Sequence, residues 1–220
     1  MPVFYEHIND FAKIAIWHIV EEKNFFLQKV FLHRNILHPH KQLQHLAGRY
    51  LLQHLYPDFP HQLIEIADTN KPFLANEEYH FSISHCGEYA AVIISKSRRV
   101  GIDLELITPK VDKIKHKFLN EKEVEYIQYS IFNIQYTSDK SELRTHNLSL
   151  ITLLWCCKEA VFKWYGSGGV DFKKNINLLI NTIDIEKGIL KCEFNKEVKI
   201  MLDIQFTFFE GLCLAWVVSD

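Results

Sequence analysis

The sequence predicts an α+β fold, with antiparallel strands and long helices in separate runs. Three observations lead there. Between His40 and Leu55 the apolar residues Leu43, Leu46, Ala47, Tyr50, Leu51 and Leu55 recur at steps of three and four, which is one face of a helix. From Tyr79 the period changes to two, Phe81 and Ile83 alternating with Ser82 and Ser84. After Gly169 short strand-like runs separated by Lys187-Gly188, Asn195-Lys196 and Glu210-Gly211 read as a meander.

In chain order, the segment from Asn9 to Val20 has a mixed apolar pattern that fits a strand or a strand followed by a helical turn. The helix at 40–55 ends at Tyr56-Pro57-Asp58-Phe59-Pro60, where proline stops the hydrogen-bond ladder. A hairpin follows: Phe81 to Ser84, a turn at His85-Cys86-Gly87-Glu88, and the apolar run Tyr89 to Ile94. Lys96 to Arg99 turns the chain into another strand, Val100 to Ile107. Two charged helical stretches are expected at Val111 to Tyr129 and Leu148 to Tyr165, with a polar loop insertion between them around Ser138-Asp139-Lys140-Ser141. Strands at Ile176–Ile185, Ile189–Phe194, Val198–Phe209 and Leu212–Val218 complete the chain. The pattern of Phe81–Ser95 is echoed, with a one-residue gap, by Phe206–Ser219. Two duplicated halves, or merely two hairpins with buried second strands, both fit that echo.

Composition narrows the function classes. A chain of 220 residues that is 48% hydrophobic and 24% charged can bury a sizeable core, which excludes disordered and fibrous classes. A formal net charge of −2 offers no global field for nucleic acid or an anionic membrane. The five cysteines form no C-x-x-C, and Cys156 and Cys157 are adjacent and badly placed to pair with each other, so a reducing compartment is expected. With no signal-like N-terminus and no apolar run near the length of a membrane span, a cytoplasmic location is expected. Twelve histidines are scattered without H-E-x-x-H, and His38-Pro39-His40 reads as a turn, so a histidine-built metal site is not expected.

Two motifs carry chemistry. In Val100 to Ile107, Ile102, Leu104 and Leu106 face one way, while Asp103 and Glu105 face the other, about 7 Å apart. These carboxylates fit either a solvated strand face or a shared hard cation such as Mg²⁺. In Trp155–Lys163, the residues Trp155, Lys158, Glu159, Phe162 and Lys163 share one side of a helix. That face is either a core stripe with a surface ion pair, or a further carboxylate for the metal with ammonium groups for phosphate.

These motifs, G-I-D-L-E at 101–105 and W-C-C-K-E-A-V-F-K at 155–163, resemble the paired signatures of the 4′-phosphopantetheinyl transferases, in the larger surfactin-synthetase-activating type. Asn70-Lys71-Pro72, Phe81–His85 and Leu46-Ala47-Gly48-Arg49 extend the resemblance from about Leu43 to Gly169. The resemblance implies a pseudo-dimer in one chain, two similar halves each with a small antiparallel sheet on a long helix. Residues 1–107 would be on the side of the coenzyme A 3′-phosphate, and 108–220 would carry the metal helix and the meander, in one compact monomeric unit. It further implies transfer of the 4′-phosphopantetheine arm of coenzyme A to a serine of an apo acyl or peptidyl carrier protein, releasing adenosine 3′,5′-bisphosphate. Asp103, Glu105 and Glu159 match the ligands of Mg²⁺, with Mn²⁺ as an alternative ion. Glu159 is the candidate base and Lys163 the lysine on the pyrophosphate, with Lys158 beside it. Arg49, Lys71, Ser84 and His85 match positions that hold coenzyme A. The basic stretch Lys110, Lys113, Lys115, His116, Lys117 and Lys122 suits an acidic carrier, although Lys117-Phe118-Leu119 stands where the family commonly has an arginine and two phenylalanines. The alternatives are a magnesium-dependent nuclease, disfavoured because Glu159 and Lys163 are four apart on a helix, and a non-catalytic carrier-binding relative.

Overall fold

A computed structural model describes residues 3–31, 36–134 and 140–220. The first half begins with two strands, β1 (Val3–Ile8) and β2 (Lys13–His18), and two helices, α1 (Lys23–Leu27) and α2 (Pro39–Leu55). The short pair β3 (Ile64–Ile66) and β4 (Pro72–Leu74) precedes the hairpin of β5 (His80–Cys86) and β6 (Tyr89–Ser95). Next come β7 (Arg99–Leu106) and three helices, α3 (Pro109–Phe118), α4 (Glu121–Ile134) and α5 (Lys140–Tyr165). The chain closes with β8 (Ile176–Leu178), β9 (Ile189–Asn195), β10 (Lys199–Phe209) and β11 (Leu212–Ser219). Among the described residues, no helix is long and apolar enough to cross a membrane.

Beside the small β3-β4 pair, two larger antiparallel sheets are found among the described residues, ordered β1-β2-β6-β5 and β7-β11-β10-β9-β8. Each is covered by one long helix. Ala15, Trp17, Ala90, Val92 and Ile94 pack on α2 through Leu46, Leu51 and Leu52. Cys213, Ala215 and Val217 pack on α5 through Cys156, Cys157, Ala160 and Val161. The alternate residues, Ile14, Ile16, Ala91 and Ile93 from one sheet and Val100, Ile102, Leu104, Leu212 and Leu214 from the other, meet between the sheets. Strands buried on both faces therefore read as continuous apolar runs, and each fully buried Ile, Val or Leu stabilises by about 1.5–3 kcal/mol. Strand order and helix placement repeat: β2-α2-β5-β6 in the first half corresponds to β7-α5-β10-β11 in the second, with hairpin glycines Gly87 and Gly211 both at positive φ. The echo between 81–95 and 206–219 lies on these two corresponding hairpins.

Several boundaries differ from expectation. The segment at 9–20 is a strand, β2. The helix expected over 111–129 is two, because the chain turns extended at Leu119 and restarts at a reciprocal cap: Glu123 N–H donates to Asn120 Oδ1 at 3.0 Å, and Asn120 N–H to Glu123 Oε2 at 2.9 Å. The second long helix starts at Lys140 rather than Leu148, while the rest of the expected insertion, 135–139, lies outside the described residues. A division at 107 also does not follow the hydrogen bonds. β7 pairs with β11, Asp103 opposite Ala215, so its ladder belongs to the second sheet.

β7 and α5 touch at backbone distance, and Gly101 permits it. A Cβ there would sit 2.5 Å from the Trp164 amide nitrogen and closer still to the Ala160 carbonyl oxygen. Gly101→Ala is expected to lower unfolding stability by about 3 kcal/mol or more in urea titrations, since a backbone neighbour cannot rotate away; a loss under 1 kcal/mol would show that the helix can retreat freely.

Candidate active site

The period-two alternation of β7 sends Val100, Ile102 and Leu104 between the sheets, and so turns Asp103 and Glu105 toward α5. On α5, Glu159 and Lys163 are one turn apart and meet them. Asp103 is buried, 3% exposed. Its Oδ1 accepts from Lys163 Nζ at 2.6 Å and from Ser84 Oγ at 2.8 Å, and Lys163 Nζ lies 3.0 Å from Ser84 Oγ. Glu105 Oε1 accepts from the indole N–H of Trp155 at 3.0 Å. Cys156 supports the same strand from below, its thiol donating to the Asp103 carbonyl at 3.0 Å.

Charge is concentrated here. Burial, then the Asp103 carboxylate, pushes Glu105 up to about 7 against the pull of Trp155 and Lys163. Burial, then Asp103, also lifts Glu159 to about 7, with Lys163 opposing and Glu105 adding to the rise. Burial disfavours the charge on Lys163, but Asp103 more than offsets it and raises its pKa. His85, near Lys163 and Asp103, is held below the usual imidazole value, first by desolvation and then by the Lys163 charge.

The Asp103 charge thus acts on both glutamates, yet among the described residues no three His, Cys, Asp or Glu side chains form a gathered metal cage. Lys163 supplies the positive charge on Asp103 instead. The donor set still fits a hard divalent cation. All three groups offer carboxylate oxygens, and Asp103 Oδ2 is buried without a hydrogen-bond partner.

The folded-state values have a consequence for stability. Between about pH 4.5 and 7, folded Glu105 and Glu159 hold protons that the unfolded chain has released, so their contribution is lost as pH rises through 7. With chelator present, Tm is expected to fall between about pH 4.5 and 7 and to level off above that. Glu105→Gln with Glu159→Gln should flatten that slope, and an unchanged slope would refute the assignment.

Other expected site residues divide. Ser84 is buried, with its hydroxyl donated to Asp103 and accepting the Leu104 N–H at 3.2 Å, so its side chain positions the Asp103 carboxylate. Lys71 donates to the Lys163 carbonyl at the end of α5; burial, then the Arg99 charge, lowers it to about 8. It also lines a cavity of about 160 Å³ shared with Asn70, Pro72, Ser82, Phe162 and Lys163. Arg49 is not a helix-surface residue, being 2% exposed within α2.

Lys158 does not join the site. Its ammonium is fully buried, donating to the carbonyls of Phe118, Phe172 and Ile176 at 2.8–2.9 Å and pairing with Glu123 Oε2 at 2.8 Å. With every N–H used inside the protein, it has none for coenzyme A. Burial lowers its pKa, and Glu123 counters that. Glu123 as the structural partner of Lys158, and the bond of the Trp155 indole to Glu105, are what sequence reasoning missed. The Asn120-x-x-Glu123 capping pattern was the readable signal for the first, and the position of Trp155 one turn before Glu159 for the second. Beyond Glu159 an open groove of about 890 Å³ runs between Lys117, Phe118, Trp155, Phe162 and Phe172.

Comparison with known proteins adds an independent line. The family model described as the 4′-phosphopantetheinyl transferase superfamily matches residues 99–209. The chain is 32% identical over 123 residues to the 4′-phosphopantetheinyl transferase gsp of Aneurinibacillus migulanus, covering 56% of this chain and 46% of that one. It is 27% identical over 123 residues to the 4′-phosphopantetheinyl transferase AcpT of Escherichia coli, with 55% and 56% covered. It is 26% identical over 175 residues to the L-aminoadipate-semialdehyde dehydrogenase-phosphopantetheinyl transferase of Xenopus laevis, with 72% and 53% covered. The chain spans about half the length of the curated relatives it matches.

Proposed function

This chain belongs to the 4′-phosphopantetheinyl transferase superfamily, and from that we propose that it transfers the 4′-phosphopantetheine arm of coenzyme A to a serine of an apo carrier protein. The observation that carries the reading is the Asp103, Glu105 and Glu159 cluster around Lys163, on the two motifs that fall within the matched segment.

Asp103, Glu105 and Glu159 would hold Mg²⁺ or Mn²⁺, which when bound supplies Lewis-acid neutralisation of the diphosphate. The chain's own residues do the rest. Glu159 is the candidate base that accepts the proton of the carrier serine hydroxyl. The serine oxygen bonds to the β-phosphorus, the bond from that phosphorus to the bridging oxygen breaks, and adenosine 3′,5′-bisphosphate departs. Lys163 stabilises the charge that develops on the leaving phosphate. His85, solvent-accessible beside Lys163, and Lys71, on the wall of the small cavity, are the proposed contacts to coenzyme A. Exposed Lys110, Lys113, His116, Lys117 and Lys122 on α3 and the start of α4 suit steering of an acidic carrier toward the open groove. The free thiols of all five cysteines support placement in a reducing compartment, the cytoplasm. Neither the family match nor the relatives favour the nuclease alternative.

The test is direct. The chain is incubated with coenzyme A, Mg²⁺ and apo carrier proteins of fatty-acid and peptide synthesis, and the carriers are weighed by mass spectrometry. A mass increase equal to one phosphopantetheine arm is expected; no increase on any carrier would overturn the reading.

A further inference from the structure

Lys163 holds one oxygen of the carboxylate that a cation would use, Asp103 Oδ1, while Oδ2 is buried without a hydrogen-bond partner. Its ammonium, Asp103 Oδ1 and the Ser84 hydroxyl form a closed triangle with sides of 2.6, 2.8 and 3.0 Å. The Lys163 side chain is 23% exposed and that of Asp103 4%, so water screens the pair weakly. A divalent ion of magnesium's size approaches carboxylate oxygen to about 2.0–2.1 Å with a full octahedral shell. An ammonium hydrogen-bonded to the same carboxylate would be repelled by an ion that binds either of its oxygens. Lys163 and the cation are therefore competitors for Asp103, unless the ammonium has another partner.

Charge counting identifies that partner. Three ionised carboxylates and one ammonium leave two negative charges, which one divalent ion neutralises. A diphosphate then adds negative charge next to the cluster, and Lys163 is the cation that already acts on both Glu105 and Glu159 there. Ser84, fixed between β5 and β7 by its bond from the Leu104 N–H, can keep holding Asp103 after the lysine leaves.

We infer that Lys163 is an exchangeable counter-ion. It neutralises Asp103 in the substrate-free protein and passes to the diphosphate as the divalent cation takes Asp103, so that cation and coenzyme A load with positive coupling. This deepens the proposed function and rests on it. By linkage, whatever coenzyme A does to cation affinity, the cation does equally to coenzyme A affinity.

The experiment uses the full chain without carrier protein, so that nothing turns over. Lysine is labelled with ¹⁵N, and the Lys163 ammonium resonance is assigned by its loss in Lys163→Met. Saturating Mg²⁺ and coenzyme A together should move that resonance and change its hydrogen-exchange protection. In parallel, Mn²⁺ titrations should show Lys163→Met binding the ion about fivefold or more tighter than the unaltered chain in the absence of coenzyme A, with the coenzyme A-dependent gain reduced in proportion. A mere field effect would tighten Mn²⁺ without moving the ammonium, so the resonance decides between the two. An unmoved Lys163 resonance in a protein that binds both ligands and still transfers the arm would overturn the inference and leave the functional reading standing. Equal or weaker Mn²⁺ binding by Lys163→Met would also overturn it. No binding of Mn²⁺ or coenzyme A, with no transfer to any carrier, would take down both.

Discussion

Lys158→Met is expected to destabilise the protein by about 3–5 kcal/mol, the usual cost of removing one partner from a buried ion pair. Methionine nearly matches the stem of lysine, so little space is lost and the effect isolates the ammonium. Its removal strands the carbonyls of Phe118, Phe172 and Ile176 and leaves the Glu123 carboxylate buried opposite an apolar group. Glu123 retains the N–H groups of Asn120 and Leu178, which limits the damage but does not neutralise the charge. Adding Glu123→Gln should therefore recover part of the loss, because the amide oxygen can still accept from Leu178 while the buried charge disappears. Urea unfolding of the unaltered chain and the two variants measures this; a Lys158→Met protein within about 1 kcal/mol of the unaltered chain would mean the pair is compensated elsewhere. Loosening should also reach the groove, since Phe118 and Phe172 pack their rings on Trp155, whose N–H orients Glu105.

Asp103→Asn is expected to reduce transfer by about a thousandfold, the scale associated with losing one charge-stabilising group at a reacting centre. The substitution keeps shape and retains an oxygen for Ser84. It removes the charge that holds Lys163 and replaces the unpartnered oxygen with an amide nitrogen that cannot ligate a hard cation. The fold should survive, because Lys163 is partly exposed and can rehydrate, at a cost of about 1–3 kcal/mol. The readout is the rate of carrier mass gain alongside Tm. More than a tenth of the original rate in a folded variant would remove Asp103 from the chemistry.

The site was more legible than its supports. Period-two alternation alone places Asp103 and Glu105 together, and the four-residue step places Glu159 with Lys163, because both follow from local geometry. Lys158 was misread for the same reason. Helical spacing sets it beside Glu159, but where an adjacent side chain ends depends on what packs there, and the break at Leu119 that brings Glu123 and the Phe118 carbonyl to it is a tertiary event. β2 was ambiguous because both its faces are buried, Ile14 and Ile16 between the sheets and Ala15 and Trp17 under α2, which erases the alternation that marks a half-exposed strand. The membership of β7 was hidden because its ladder partner, β11, lies more than a hundred residues along the chain.

The seam between β5 and β7 binds the two repeats into mutual dependence. Ser82 and Ser84 serve the amides of Ile102 and Leu104, while Thr69 and Lys71 grip the carboxyl end of the helix that bears Glu159. A gene cut after codon 107 would hand the acidic strand to one fragment and its hydrogen-bonding sheet to the other. Neither product would inherit the whole cluster, because each repeat supplies groups that hold the other's side chains in place.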